Sequence, residues 1–421
     1  VTQTPALEHR LGPAFDLLAA YRPGSLFFER EGLGVTTLPG PGDVSITADR
    51  SDPEGLRALS SEVLAALRAR HRTDDAAPPL AAGSIAFDPN EPATLTIAAG
   101  WVRRTEPGAT WARDAMGPQG GLASSPRASG SHVAADAFAL PQLREVPSAE
   151  DYGRDVAAIT ERIQAGEVAK VVLARTLDVD AGRILDAASL LRRLRAVEPH
   201  SYTFAAPVSG SGSGDALATM VGASPELLCS RTGDIVRSVP LAGSAPRSGD
   251  AEQDRASAAA LQNSDKERRE HAFVVDAIAA ALGEHCAELT WDPEPVLLET
   301  ANVWHLATRF HGRLGDPNIG ALALVADLHP TPAVCGTPRE AARAIIEELE
   351  PFPRGTYAGP IGWMDATGDG AWAIALRCAE LTGKRARLFA GAGIVEGSDP
   401  AAETEETRRK FLAFLDPLRW G

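Results

Sequence analysis

From residue 147 onward the chain alternates short apolar runs with helix-length amphipathic stretches, and many of the runs are joined by connections of hairpin length. Such short connections force neighbouring strands to run antiparallel, because a parallel pair needs a crossover of a dozen or more residues. Ser148 and Asp151 form a capping-box pattern, and Tyr152, Val156, Ile159 and Ile163 follow at helical spacing until Gly166 offers a C-terminal cap. KVVLART (170–176) reads as a buried strand and 186–196 as a helix. MVGAS and IVRSVPLAGS read as strands around a turn at Thr232-Gly233-Asp234, and one long helix is expected over about 253–283. VLLET, VWHLATRFHGRL, ALRCAELTG and RLFAGAGIV read as strands, with helices at 338–350 and 403–415. Strands interspersed with helices and closed by short turns predict an α+β chain with large antiparallel sheets.

Upstream, SLFFER (25–30), SIAFDP (84–89) and TLTIAAGWVRR (94–104) read as strands around one helix near Glu54–Arg70. Residues 106–137 are rich in Gly, Ser, Ala and Pro and read as an exposed loop, and SGSGSGD (209–215) as a hairpin tip; neither offers chemistry. With 421 residues, 44% apolar and 23% charged, the chain has the make-up of a soluble globular protein with a sizeable core. A net charge of −15 argues against a nucleic-acid or anionic-membrane binder, which would want a basic face. It does not argue against a small anion held by local cations. Cys229, Cys286, Cys335 and Cys378 lie far apart without a CxxC pair, so no disulfide framework is expected. No basic segment leads into an apolar signal core and no apolar run has spanning length, so a reducing cytoplasm is the expected location.

Chemistry concentrates on two helices. In AETEETRRKFLAFL, Glu403, Glu406 and Lys410 are spaced i, i+3, i+7 and share one face. In SDKERREHAFVVDAIAAAL, Glu267 and Glu270 repeat the i, i+3 pair. Spacing alone leaves two readings: solvated charge with intrahelical ion pairs, or carboxylates presented to a hard cation such as Mg²⁺. GAGIV (391–395) and PLAGSAPR (240–247) offer close backbone approach and N–H donors to an anion, although GxGxxG is absent. Lys170 in EVAKVVLAR and Glu226 in VGASPELLC are single titratable residues in apolar settings. Each is either a strand-edge charge reaching water or half of an acid/base pair whose proton affinity burial would tune.

At these residues the sequence resembles the chorismate-utilising enzymes, which include isochorismate, salicylate, anthranilate and aminodeoxychorismate synthases. KVVLAR, GASPELL, PLAGSAPR, KERREH, WHLAT, HPTPAVCG, RGTYAGPIGW, LRCAEL, LFAGAGIV and ETEETRRK occur in the family's order. The match covers roughly residues 147–421, and 1–146 looks like the family's variable N-terminal half. The resemblance implies one α+β unit with two large antiparallel sheets packed together, helices outside, and both halves of the chain contributing. It further implies Mg²⁺ ligated by Glu270 and Glu406, with Glu267 and Glu403 holding its waters or adding ligands. Arg377 and Tyr357 correspond to partners of the enolpyruvyl carboxylate of chorismate. Gly243, Ser244, Gly391 and Lys410 correspond to the ring-carboxylate end, and His305 to a substrate-facing histidine. Lys170 corresponds to the residue that activates water for attack at C2, and Glu226 to the acid that protonates the departing C4 hydroxyl.

Within the family, amine-forming members lack the lysine found here at position 170, and HPTPAVCG carries Ala333 where they tend to carry threonine. PLAGS also departs from the PIKG-type sequence of aminodeoxychorismate synthases. The resemblance therefore points to isochorismate synthase, a branch that supplies menaquinone or siderophore synthesis. Salicylate synthase, which goes on to eliminate pyruvate, is the alternative. An anthranilate or aminodeoxychorismate synthase component, or an inactive binding relative, fits less well, since no charged site residue is lost. Chorismate is the expected partner, without nucleic acid or membrane, on a monomer or weak dimer.

Overall fold

The computed structural model describes residues 7–11, 15–50, 54–72, 77–106, 109–114, 142–208 and 218–419. Two large antiparallel sheets dominate it. The central strand of the larger, Lys170–Asp180, has its first eight residues buried, which explains why KVVLART reads as an apolar run rather than an alternating one. It pairs with Arg385–Val395 along its whole length. Beyond that strand the sheet continues through Cys378–Thr382, Ala218–Ser224 and Tyr202–Val208 into strands from the N-terminal half, the first being Phe27–Arg30. On its other side Lys170–Asp180 pairs with Gly336–Thr337 and Gln142–Val146. In the second sheet Leu227–Thr232, Gly370–Ile374 and Pro360–Asp365 are neighbours, and Pro360–Asp365 pairs with Leu80–Ser84 from the N-terminal half. Strands from both halves thus complete both sheets.

One buried cluster draws on both sheets, with Leu173, Phe204 and Met220 from the larger and Ile361, Trp372 and Ile374 from the smaller. A second cluster lies under the helices Ala187–Val197 and Pro400–Arg419, joining Leu191, Leu194, Phe411 and Phe414 to Leu177, Val221 and Leu388. Burying such side chains is worth about 1.5–3 kcal/mol each, enough to fix the last helix, and the glutamates it carries, against the sheet. Helix Ala149–Gln164 forms as its caps predict: Ser148 accepts from the N–H of Asp151, and Gly166 takes a φ of 76°. All four cysteines are free, and no helix among the described residues is long and apolar enough to cross a membrane.

Several sequence expectations need correction. IVRSVPLAGS is two strands: Ile235–Val239 belongs to the second sheet, whereas Leu241–Pro246 joins Val303–Ala307 and Val296–Glu299 in a third, three-stranded sheet. Pro240, lacking an N–H for the ladder, marks the break. VWHLATRFHGRL divides in the same way, Phe310–Leu314 returning to the second sheet. TLTIAAGWVRR is also two strands, Ala93–Ile97 and Gly100–Glu106, and the strand expected at SIAFDP ends at Ser84. The long helix over 253–283 is two, Ala251–Gln262 and Asp265–Gly283, because Ser264 caps the second by accepting from the N–H of Glu267. Strand Ala109–Asp114 pairs with Gly100–Glu106, so the stretch expected to be a loop begins as sheet. The rest of 106–137, and 209–215, lie outside the described residues.

Candidate active site

Lys170 opens the central strand and is wholly buried, with its ammonium 3.0 Å from Glu270 Oε1. That contact is an ion pair without hydrogen-bond geometry, so Nζ has no hydrogen-bond partner. The strand-edge reading of Lys170 therefore fails: its head does not reach water. Glycine at position 393 makes room for the pair, because a Cβ there would stand 2.1 Å from Glu270 Oε1 and 3.1 Å from Lys170 Cε. Gly393 of GAGIV thus serves side-chain packing, while Gly391 lines the cavity.

Glu226 follows the strand end at Ser224 and is 2% exposed; its N–H donates to Ser224 Oγ, and its Oε1 has no hydrogen-bond partner. Burial pushes its carboxyl up to about 8, and the ammonium of Lys170 is the strongest of the charges opposing that rise. Near neutral pH Glu226 therefore keeps its proton, while the lysine nearby has Glu270 as its counter-ion.

Four glutamates gather at the other end. Glu267 and Glu270 project from Asp265–Gly283, and Glu403 and Glu406 from Pro400–Arg419. Ser244 donates its N–H to Glu267 Oε2 at 3.1 Å and its hydroxyl to Glu406. Lys266 reaches Glu403 Oε1 at 2.7 Å and Glu267 Oε1 at 3.1 Å. Lys410 reaches Glu406 Oε1 at 2.5 Å and donates to the carbonyl of Gly391. Burial pushes Glu403 up to about 7, and the charge of Glu406 adds to the rise. Glu267 moves the same way, through burial and then Glu270. Burial works against ionisation at Glu406 too, yet Lys410 and Ser244 outweigh it and hold its carboxyl low. The donors are all carboxylate oxygens, the chemistry of a hard cation rather than of zinc. As positioned, no three His, Cys, Asp or Glu side chains among the described residues converge closely enough to hold an ion.

Arg377 stands between these ends in a left-handed conformation, φ 49°, a backbone cost of about 1–3 kcal/mol in a non-glycine residue. Its Nη2 donates to His305 Nε2 at 2.9 Å. Since arginine has no acceptor, Nε2 must be the unprotonated nitrogen, and Nδ1–H goes to the carbonyl of Gly243. Burial, and then Arg377, hold His305 well below its ordinary range, so it stays neutral. Tyr357 stacks on Phe389 with ring centroids 5.0 Å apart.

The cavity enclosed by these groups is lined by every predicted site residue except Lys170, Glu267 and Glu403. Glu267 and Glu403 line an adjoining cavity with Ser244 and Glu406, and Lys170 sits against Glu270. Sequence reasoning missed Lys266, although it directly precedes Glu267 in KERREH. It also missed Glu198, whose carboxylate accepts from the N–H of Ala301 and whose charge supports that of Arg377. AVEPH carries no pattern that would have exposed Glu198. A third omission is Arg354, which donates to the carbonyls of Val172 and Val334 and pairs with buried Glu350. It ties the Lys170 strand to the Ala333–Val334 wall.

Residues 122–419 match the family described as chorismate binding enzyme. Isochorismate synthase DhbC of Bacillus subtilis (strain 168) is 38% identical over 415 residues, covering 99% of this chain and 96% of that protein. Isochorismate synthase EntC of Escherichia coli (strain K12) is 37% identical over 353 residues, 84% of each chain. The solved structure of MenF, the menaquinone-specific isochorismate synthase from Escherichia coli, matches with a TM-score of 0.78 at 25% identity, covering 98% of this chain and 94% of that one.

Proposed function

This chain belongs to the chorismate-binding enzyme family, and on that premise we propose that it is an isochorismate synthase, converting chorismate to isochorismate by adding water at C2 as the C4 hydroxyl leaves. The observation that carries the mechanism is the buried pair Lys170 and Glu226, two titratable groups with orphaned polar atoms beside one cavity. Lys170 acts as the base once its own proton has passed to the Glu270 carboxylate 3.0 Å away, and the neutral amine then takes a proton from the attacking water. Glu226, kept protonated by burial, gives its proton to the departing hydroxyl while the double bond shifts between the two centres. One C–O bond forms, another breaks, and no electrons leave the system.

Chorismate is a dianion, and the site offers a different cation for each of its ends. Arg377, with His305 occupying one of its N–H groups, keeps others for the enolpyruvyl carboxylate, and Tyr357 stands beside it. Glu270 and Glu406 would hold Mg²⁺, with Glu267 and Glu403 behind them. The ion would offset the charge of the ring carboxylate. Neutral His305 adds no second positive charge that would hold product too tightly. The cavity is about 60 Å³, well below the several hundred Å³ of a typical small-molecule pocket, so substrate must spread the side chains that line it. Incubating the pure protein with chorismate and Mg²⁺, and following products by chromatography with a pyruvate-coupled assay, tests the reading. Isochorismate approaching equilibrium with little pyruvate is expected. Stoichiometric pyruvate and salicylate would overturn it.

A further inference from the structure

We propose that Lys266 is a displaceable internal counter-ion of the four-glutamate cluster, holding it in a state of low affinity for divalent cations until its ammonium is driven off Glu403 and Glu267. The proposal rests on reading those glutamates as the cation site, and it concerns a residue to which that reading gives no role.

Three observations carry it. Lys266 bridges the two helices: it extends from the helix of Glu267 to Glu403 on the other, at 3.1 and 2.7 Å. Its ammonium lies between those carboxylates, and no three acidic groups among the described residues converge closely enough to hold an ion. Its surroundings also let it leave. The Lys266 side chain is 26% exposed and borders a cavity of about 250 Å³, whereas that of Lys170 is 0% exposed. Lys266 can swing into water without unfolding anything; Lys170 cannot. Finally, the formal charges balance closely. Four carboxylates face the ammonium groups of Lys170, Lys266 and Lys410, leaving −4 + 3 = −1. A divalent cation alone would carry the cluster to +1, and the ring carboxylate of the substrate would bring it to 0, its other carboxylate being matched by Arg377. The lysine thereby makes cation and substrate depend on each other, and removing it leaves −2, a cluster that attracts the cation unaided.

The test is Mn²⁺ binding to the full chain without substrate, read from the free-ion electron paramagnetic resonance signal. Wild type, Lys266→Met and Lys266→Arg are compared, with Lys384→Met as an exposed control for the change in net charge. Lys266→Met is expected to bind Mn²⁺ at least about tenfold more tightly than wild type, Lys266→Arg to stay near wild type, and the control to change little. In EDTA, Lys266→Met should melt at a lower temperature than wild type, and Mn²⁺ should raise its Tm by more. Lys266→Gln, also uncharged, gives the same comparison if the methionine variant does not fold. Equal or weaker binding in the uncharged variants, or an equal gain in the control, overturns the proposal while leaving the cation site intact. Absence of saturable binding in every protein overturns both.

Discussion

At one end of the cavity Lys170 and Glu226 are buried with few partners, an ion pair to Glu270 for the one and a backbone N–H from Leu241 for the other, whereas at the other end four glutamates, two buried and two partly exposed, are each matched by lysine or serine. The first arrangement lets desolvation set proton affinity, which is why Glu226 rises to about 8. The second divides: Lys410 and Ser244 hold Glu406 low although burial opposes it, whereas at Glu403 and Glu267 burial outweighs the pairing with Lys266. A group that must move a proton is better left with few partners; a group that must hold an ion is better kept charged. Lys170–Glu270 joins the two ends, since Glu270 belongs to the cation cluster and its partner to the proton-transfer pair.

The contrast breaks most visibly in turnover. Glu226→Gln keeps the shape but removes the proton, and Lys170→Ala removes the base; each should lower kcat by roughly 10²–10⁴-fold. Affinity should change less, because Arg377 still holds one carboxylate. Near-normal turnover by either variant would separate these residues from the chemistry. Next in size is an asymmetry in stability, measured by denaturant unfolding without divalent cation. Glu270→Gln strands the ammonium of Lys170 in a dry site and should cost about 3–5 kcal/mol. Glu267→Gln leaves Lys266 bound to Glu403 and able to reach water, and should cost about 1 kcal/mol or less. Equal costs would erase the distinction between the two ends.

A smaller effect is the pH dependence of stability. The folded carboxyl of Glu226 lies above its unfolded value of 4.5. Its favourable contribution is therefore fully present below about pH 4.5 and is lost as pH rises through about 8. Relative to Glu226→Gln, wild type should lose stability across that window and no further above it. A flat difference between the two unfolding curves would place Glu226 in a wetter setting than its 2% exposure indicates.

Much of this site was legible because its motifs carry unusual residues in apolar settings. Lys170 and Glu226 stand out in their runs, and the two ExxE pairs share helix faces. Spacing could not tell solvated charges from paired buried ones, since burial is decided by what packs across the helix. The same ambiguity hid Lys266 within a charge run. Breaks within elements were also illegible. Pro240 signals one, but Ser264 lies inside a helix-length polar run, and its cap is a bond its hydroxyl oxygen accepts from the backbone N–H of Glu267. Helix Ala321–Leu328 escaped notice because ALALVADL is apolar nearly throughout, and so short a buried segment has no periodicity to separate it from a strand.

The central claim is that water enters at one ring carbon while hydroxyl leaves another, driven by Lys170 and Glu226. Running the reaction with Mg²⁺ in ¹⁸O-labelled water, and sampling before the reverse reaction matters, tests it directly by mass spectrometry. The account predicts isochorismate carrying one solvent oxygen at C2, and no such product from Lys170→Ala. Unlabelled isochorismate would mean that the hydroxyl migrates without solvent, and would contradict the roles assigned to both residues.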